Sequence, residues 1–299
     1  MDNSGYPPNV IYRHRGYTDR DLEDPEKRAR LEDELEAAQN GCVWFSSLNS
    51  QNDPFDTLPV IVDSERAEIQ RLIKAFQREY GRNAMISGRN LVDEARNLNL
   101  KIRDVRDEYS NPEQFKTGIP KHLEAAREWQ TICCFTANPF SSLMWAYYSA
   151  SHQSFCYEFS CEKEDLAAAR KVVAKVKYLE SRPTLTTVQA IRWLINSSRR
   201  ANPPKHRALV VSGEEATIVN DALVLSKSKE WDRECEWRAL NTQGDSAGYN
   251  SIAPYRLKSI VLGANASDRL KGFLMPRIGS DVEVRNLALS KHSYDLEFA

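Results

Sequence analysis

Thr131-Ile132-Cys133-Cys134-Phe135, then Phe140 to Ala150, then Ser154-Phe155-Cys156-Tyr157-Glu158-Phe159, read in turn as a strand, a short helix and a second strand. Working outward, the pattern stays irregular. Upstream, Val10-Ile11-Tyr12-Arg13 is strand-like. Asp24 is a good N-cap with Pro25 in the first helical position; Leu31 and Leu35 repeat at helical spacing, and Gly41 is a natural stop. Cys42 to Ser47 reads as a buried strand that empties into a loop, Asn49 to Thr57, rich in Asn, Asp and Pro. Downstream, a helix is expected over 164–171, a strand over 172–178, an amphipathic helix over 184–199, and strands over 235–240, 257–262 and, last, 282–289. Residues 216–225 suit a helix or a strand.

Ile69, Leu72, Ile73, Phe76 and Tyr80 share one helix face, and Leu91, Ala95, Leu98, Ile102, Val105 and Tyr109 share another. The span from about 63 to 124 therefore reads as a helical insertion with charged outer faces. Regular βαβ spacing is missing. The expected class is α+β, a central mixed or antiparallel sheet with packed helices, in a single domain over residues 1–299.

Charge is balanced: 41 Lys and Arg against 42 Asp and Glu among 299 residues, a net of −1. No global field draws this chain to nucleic acid or to an anionic membrane. No run of about 18 apolar residues occurs, so no membrane span is expected. The polar stretch Met1 to Val10 lacks the pattern of a secretory signal. The six cysteines form no paired CxxC, and five of them lie in strand-like apolar runs, which predicts reduced thiols and a cytoplasmic location. The five histidines are scattered without ligand spacing, so no metal is expected. Phosphate-binding glycine loops, the HExxH and GxSxG motifs and the kinase set are all absent.

Four clusters carry candidate chemistry. Tyr12, Arg13 and Arg15 put two guanidinium groups on one strand face, able to fork onto phosphate; the same pattern suits a charged edge strand. Asn52, Asp53 and Phe55 lie in a loop leaving a buried strand, where a sugar or base could be held, or where a plain turn could form. Trp145, Tyr148 and His152 fall at helical spacing and form an aromatic stripe for stacking on a ring, or for packing the core. Glu234, Glu236 and Arg238 share one strand face, with Cys235 and Trp237 on the other. That trio suits general-base or oxocarbenium chemistry, or a self-neutralising pair.

In order, these clusters resemble the bacterial family called domain of unknown function 2971, with its Tyr-Arg-x-Arg strand, Asn-Asp-Pro-Phe turn (Asn52 to Phe55), Leu-Met-Trp helix (Leu143 to Trp145), Val-x-Tyr strand (Val176 to Tyr178) and Trp-x-x-Glu-x-Glu-x-Arg segment (Trp231 to Arg238). Tyr147 and Ser154 depart from that pattern. The chain is also distantly similar to ADP-ribosyltransferases of the Arg, Ser, Glu class through Arg13 or Arg15, Ser46-Ser47 and Glu234-x-Glu236. That resemblance implies NAD as a substrate, with an arginine on its pyrophosphate, an aromatic on a ring and Glu236 stabilising the ribosyl cation. It also implies either transfer of ADP-ribose to a macromolecular acceptor, protein or nucleic acid, as in a toxin or antiviral-defence effector, or plain hydrolysis of NAD. Two other classes stay open: a nuclease or base-removing enzyme using Arg13, Arg15, Arg238 and Asp53, and a ligand sensor or interaction module without turnover, whose helices at about 63–124 would contact a partner.

Overall fold

The computed structural model describes residues 7–80, 123–124, 127–128, 130–169, 171–198, 204–211, 213–240 and 247–299. The fold is α+β. Contacts divide the chain into two compact units: one drawn from residues 1–46, 131–178 and 229–299, the other from 47–130 and 179–228.

The first unit is a mixed ten-stranded sheet with helices. Its elements are β1 (Val10–Arg15), α1 (Asp19–Glu23), α2 (Pro25–Gln39), β2 (Cys42–Ser47), β3 (Thr131–Thr136), α3 (Ser142–Tyr148), β4 (Phe155–Ser160), β5 (Val173–Lys175), β6 (Glu236–Leu240), β7 (Gly248–Ser251), β8 (Arg256–Leu262), α4 (Asp268–Leu274), β9 (Glu283–Leu289) and β10 (Leu296–Phe298). The strand order is β7-β2-β3-β1-β4-β8-β9-β10, with β6 also on β3 and β5 on β6. The β8–β9 pair is parallel, while β1–β4, β4–β8 and β3–β6 are antiparallel.

The sheet buries its two faces differently. Ile11, Phe135, Phe155, Tyr157, Phe159, Ile260 and Leu262 project from one face into the main core. Leu22 of α1, Leu31, Leu35 and Ala38 of α2, and Leu270 and Leu274 of α4 close over them. In α2, Leu31, Glu34, Leu35 and Ala38 are the buried positions, the i, i+3, i+4, i+7 stripe of a helix lying on a sheet. Asp24 caps that helix as expected, accepting from the backbone N–H of Glu26 and Lys27. On the other face Trp145 packs with Cys156, Val261, Leu287 and Leu296.

In the second unit, the strands Val60–Val62 and Thr184–Thr186 pair in parallel, and the helices Arg66–Tyr80, Thr187–Ser198 and Gly213–Val224 bury Ile69, Leu72, Phe76, Ile191, Leu194, Val219 and Leu223. The ambiguous stretch at 216–225 is thus helical up to Val224. The second helix expected in the insertion, carrying Leu91 to Tyr109, lies outside the described residues.

Several element expectations need correction. β1 lies between β3 and β4 and is not an edge strand. β9 is not the last strand, because β10 returns antiparallel beside it. Helix α1 and strand β7 were not expected. Thr184–Thr186 pairs as a strand before its helix begins. Cys161, read as lying outside the apolar runs, is buried, whereas Cys42, Cys134 and Cys235 are half-buried.

Candidate functional site

The sheet register builds a polar row across five strands on the face opposite the main core. Glu236 on β6 pairs with Thr136 on β3, Thr136 with Tyr12 on β1, Tyr12 with Glu158 on β4, and Glu158 with Ser259 on β8. Residues directly opposite one another share a face, so all five line one surface. Three strand gaps separate Glu236 from Glu158, roughly 14 Å. Glu236, Thr136, Glu158 and Ser259 are buried, and Tyr12 is half-buried.

Each of the two buried carboxylates in this row has its own guanidinium. Arg238, fully buried, forks onto Glu236, Nε to Oε1 at 2.7 Å and Nη2 to Oε2 at 3.2 Å. Arg285 on β9 pairs with Glu158, whose Oε2 also accepts from Ser259 Oγ at 2.9 Å. A pair of this kind recovers its desolvation only when its hydrogen bonds are made, and the fork on Glu236 makes them. Cys134, opposite Arg238, is held well above the usual thiol range by burial and by the Glu236 carboxylate.

Glu234 does not lie on the strand with Glu236. It ends the 3-10 turn Lys229–Glu234, and Cys235 follows with φ +48°, a left-handed residue that bends the chain into β6. The expected alternation of a charged face with Cys235 and Trp237 therefore fails at its first two positions. Thr136 Oγ1 fixes the turn by donating to the Glu234 carbonyl at 2.6 Å, and Tyr148 Oη donates to Glu234 Oε1 at 2.7 Å. The Glu236 N–H donates to Tyr178 Oη at 2.8 Å. Thr136 of β3 and Tyr178, in the short strand Lys177–Leu179, thus fix the backbone of Glu234 and Glu236, and Tyr148 of α3 holds the Glu234 carboxylate.

The arginines of β1 sit elsewhere. Arg13 is opposite Tyr157 and Arg15 opposite Phe155, both core residues, so the two guanidinium groups leave from the helix-covered face. Arg15 forks onto Glu34 of α2, with Nη2 to Oε2 at 2.6 Å, and Arg13 reaches Cys133 Sγ. Burial lifts the Cys133 thiol to about 11. Arg13 and Arg15 therefore do not join Glu236. Ser46 lies on β2 beside Phe45, which faces the main core.

Trp145 is fully buried, and its indole Nε1 donates to the Pro139 carbonyl at 2.7 Å, so it supports the floor and offers no exposed ring. His152 is not on the helix. α3 ends at Tyr148, and Ala150, Ser151 and His152 all take positive φ. His152 then stacks on Trp145 at 6.3 Å. This tight return needs Gly263, since a Cβ there would stand 2.3 Å from the His152 carbonyl oxygen. His14 meets Trp145 edge-on at 4.7 Å, with Nδ1 2.9 Å from Ser149 Oγ. Burial, helped by His152, pushes its pKa down to about 3, so it is neutral at physiological pH.

Asn52, Asp53 and Phe55 belong to the second unit. Asp53 is buried and caps its own turn, accepting from the Phe55 N–H at 2.9 Å. Phe55 is 61% exposed and does not anchor the loop in the core. Buried Asp56 and Lys227 pair at 3.9 Å in the same unit. Among the described residues, no three His, Cys, Asp or Glu side chains gather as metal ligands.

Sequence pattern does not mark Ser259, Arg285 or Thr136 as site residues. Glu158 does carry a signal: it is the lone charge in a mostly apolar strand, and a buried charge needs a partner.

The fold and site define an α+β protein with a carboxylate-bearing polar row on one sheet face. The model of a family described as a protein of unknown function, DUF2971, matches residues 144–239. That segment holds Trp145, Tyr148, Glu158, Tyr178, Glu234, Glu236 and Arg238. No curated protein and no solved structure matches the chain. Among the described residues, no helix is long and apolar enough to cross a membrane.

Proposed function

We propose that the Tyr12–Glu236 face is the active site of an NAD-consuming enzyme that breaks the bond between nicotinamide and ribose. The carrying observation is that Glu234 and Glu236, two residues apart in the chain, are buried carboxylates each held by a hydrogen-bond partner, Tyr148 and Arg238. As the C–N bond breaks, its electrons leave with nicotinamide and positive charge develops on the ribose. Fixed carboxylates in a water-poor site stabilise that charge without reorganising. Water or a macromolecular nucleophile then attacks the same carbon and gives up its proton to a carboxylate. Tyr12 and Tyr148 supply hydroxyl groups for the sugar.

The test is nicotinamide release from NAD, with and without cell lysate as acceptor source. Wild type should release it, and Glu234→Gln should lose at least about 100-fold. Glu234→Gln is the preferred variant, because Glu236→Gln strands the fully buried Arg238. Absence of release by wild type under every condition sinks the reading. A second reading is favoured by one observation: both oxygens of Glu236 are occupied by Arg238. It makes the face a ligand sensor that binds a nucleotide without turnover. The nuclease alternative has less support, because Arg15 is already engaged by Glu34 on the other face.

A further inference from the structure

Arg285 stands at the far end of the polar row from Arg238. Its strand β9 runs parallel to β8, with Arg285 opposite Val261, which faces Cys156 and, through it, His14. On the floor, Nη2 contacts Glu158 and Ser259 Oγ, the latter at 3.3 Å. Nε is buried without an acceptor among the described residues. The guanidinium carbon lies 4.1 Å from the centre of the Phe298 ring, and Phe298 meets Phe140 at 5.1 Å. The side chain remains 25% exposed, unlike Arg238 at 0%. Arg238 is therefore spent on its carboxylate. Arg285 is fixed by a carboxylate below and an aromatic ring beside it, and still reaches solvent with donors to spare.

A guanidinium held in this way is preorganised for an oxyanion, since its planar donors need no further ordering. We infer that Arg285 is a phosphate-binding residue of this face, taking the phosphate end of a ligand whose sugar lies over Tyr12 toward Glu234 and Glu236. The inference rests on the proposed reading for the sugar end alone. Glu158 has two consequences here. It fixes Arg285, and it competes with the incoming anion for the same positive charge.

The experiment measures calorimetric binding of inorganic pyrophosphate and of ADP-ribose to wild type, Glu158→Gln, and the double variant Glu158→Gln/Arg285→Gln. The double variant leaves no buried charge stranded, so it keeps the fold testable. Glu158→Gln should bind both probes about ten-fold tighter than wild type, and the double variant should bind them at least about ten-fold more weakly than wild type. Pyrophosphate alone reports a bare phosphate site, and a gain with ADP-ribose reports the attached sugar. Equal binding by Glu158→Gln and the double variant, or no binding by any of the three, overturns the inference. Nicotinamide release on the same proteins separates the two ideas. Arg285-dependent pyrophosphate binding without release keeps the phosphate site and removes the NAD reading. Release with an unchanged KM for NAD in the double variant does the reverse.

Discussion

Acidification from pH 7 to pH 5 should destabilise this protein through His14. The ring is 8% exposed, edge-on to Trp145, with Nδ1 tied to Ser149 and Nε2 buried without a partner among the described residues. The nearby titratable group is His152, which lowers the His14 pKa further; Cys156, opposite His14 in the sheet, is a buried neutral thiol. In the unfolded chain His14 takes up a proton near pH 6.5, whereas in the folded protein it does so only near pH 3. Between those values the unfolded state binds more protons, so stability falls as pH falls, and the loss levels off below about pH 3. Each pH step of one inside the window costs about 1.4 kcal/mol, so the change from pH 7 to 5 costs about 2 kcal/mol. The assay is urea unfolding of wild type and His14→Gln at both pH values. Gln keeps a donor for Ser149 and does not titrate. The variant should be less stable at pH 7, and its loss on acidification should be smaller than that of wild type by about 2 kcal/mol. Parallel losses in the two proteins would refute the reasoning, because other groups would then carry the whole pH dependence.

Arg238→Met should cost about 3–5 kcal/mol in urea unfolding by stranding the Glu236 carboxylate, and adding Glu236→Gln should recover most of it; equal losses in single and double variants would rule out a charge-pair origin. Gly263→Ala should lower stability by about 1–3 kcal/mol, because its Cβ would collide with the His152 backbone, and an unchanged Tm would contradict the close approach. Asp24→Ala should cost about 1 kcal/mol and Asp24→Asn only a few tenths, read from thermal melts, since either Asp or Asn can accept from the exposed N–H groups of α2.

Local chemistry made much of the fold legible. Asp24-Pro25 announced α2, and the apolar runs around Phe135, Phe155 and Ile260 announced the central strands, because side-chain period and capping act within a few residues. What sequence could not give was strand order. Whether Arg13 or Tyr12 faces Glu236 depends on which strands flank β1 and in what register. A single-residue difference in parity moves a side chain to the other face. The Tyr-Arg-x-Arg strand therefore contributed Tyr12 to the candidate site and sent its arginines to Glu34 and Cys133. Glu234 and His152 misled for another reason. Both sit beside left-handed non-glycine residues, or adopt that conformation themselves, where a helix or strand period extrapolated through the segment breaks down. Arg285 lies far along the chain from the other clusters and is brought beside the row by the β8–β9 pairing.

The most direct test is a crystal structure of the protein with ADP-ribose or NAD bound. The ribose is expected over Tyr12, within reach of Glu234 and Glu236, with phosphate oxygens toward Arg285. A ligand lodged on the helix-covered face beside Arg13 and Arg15 would contradict it, as would a ligand in contact with none of these residues.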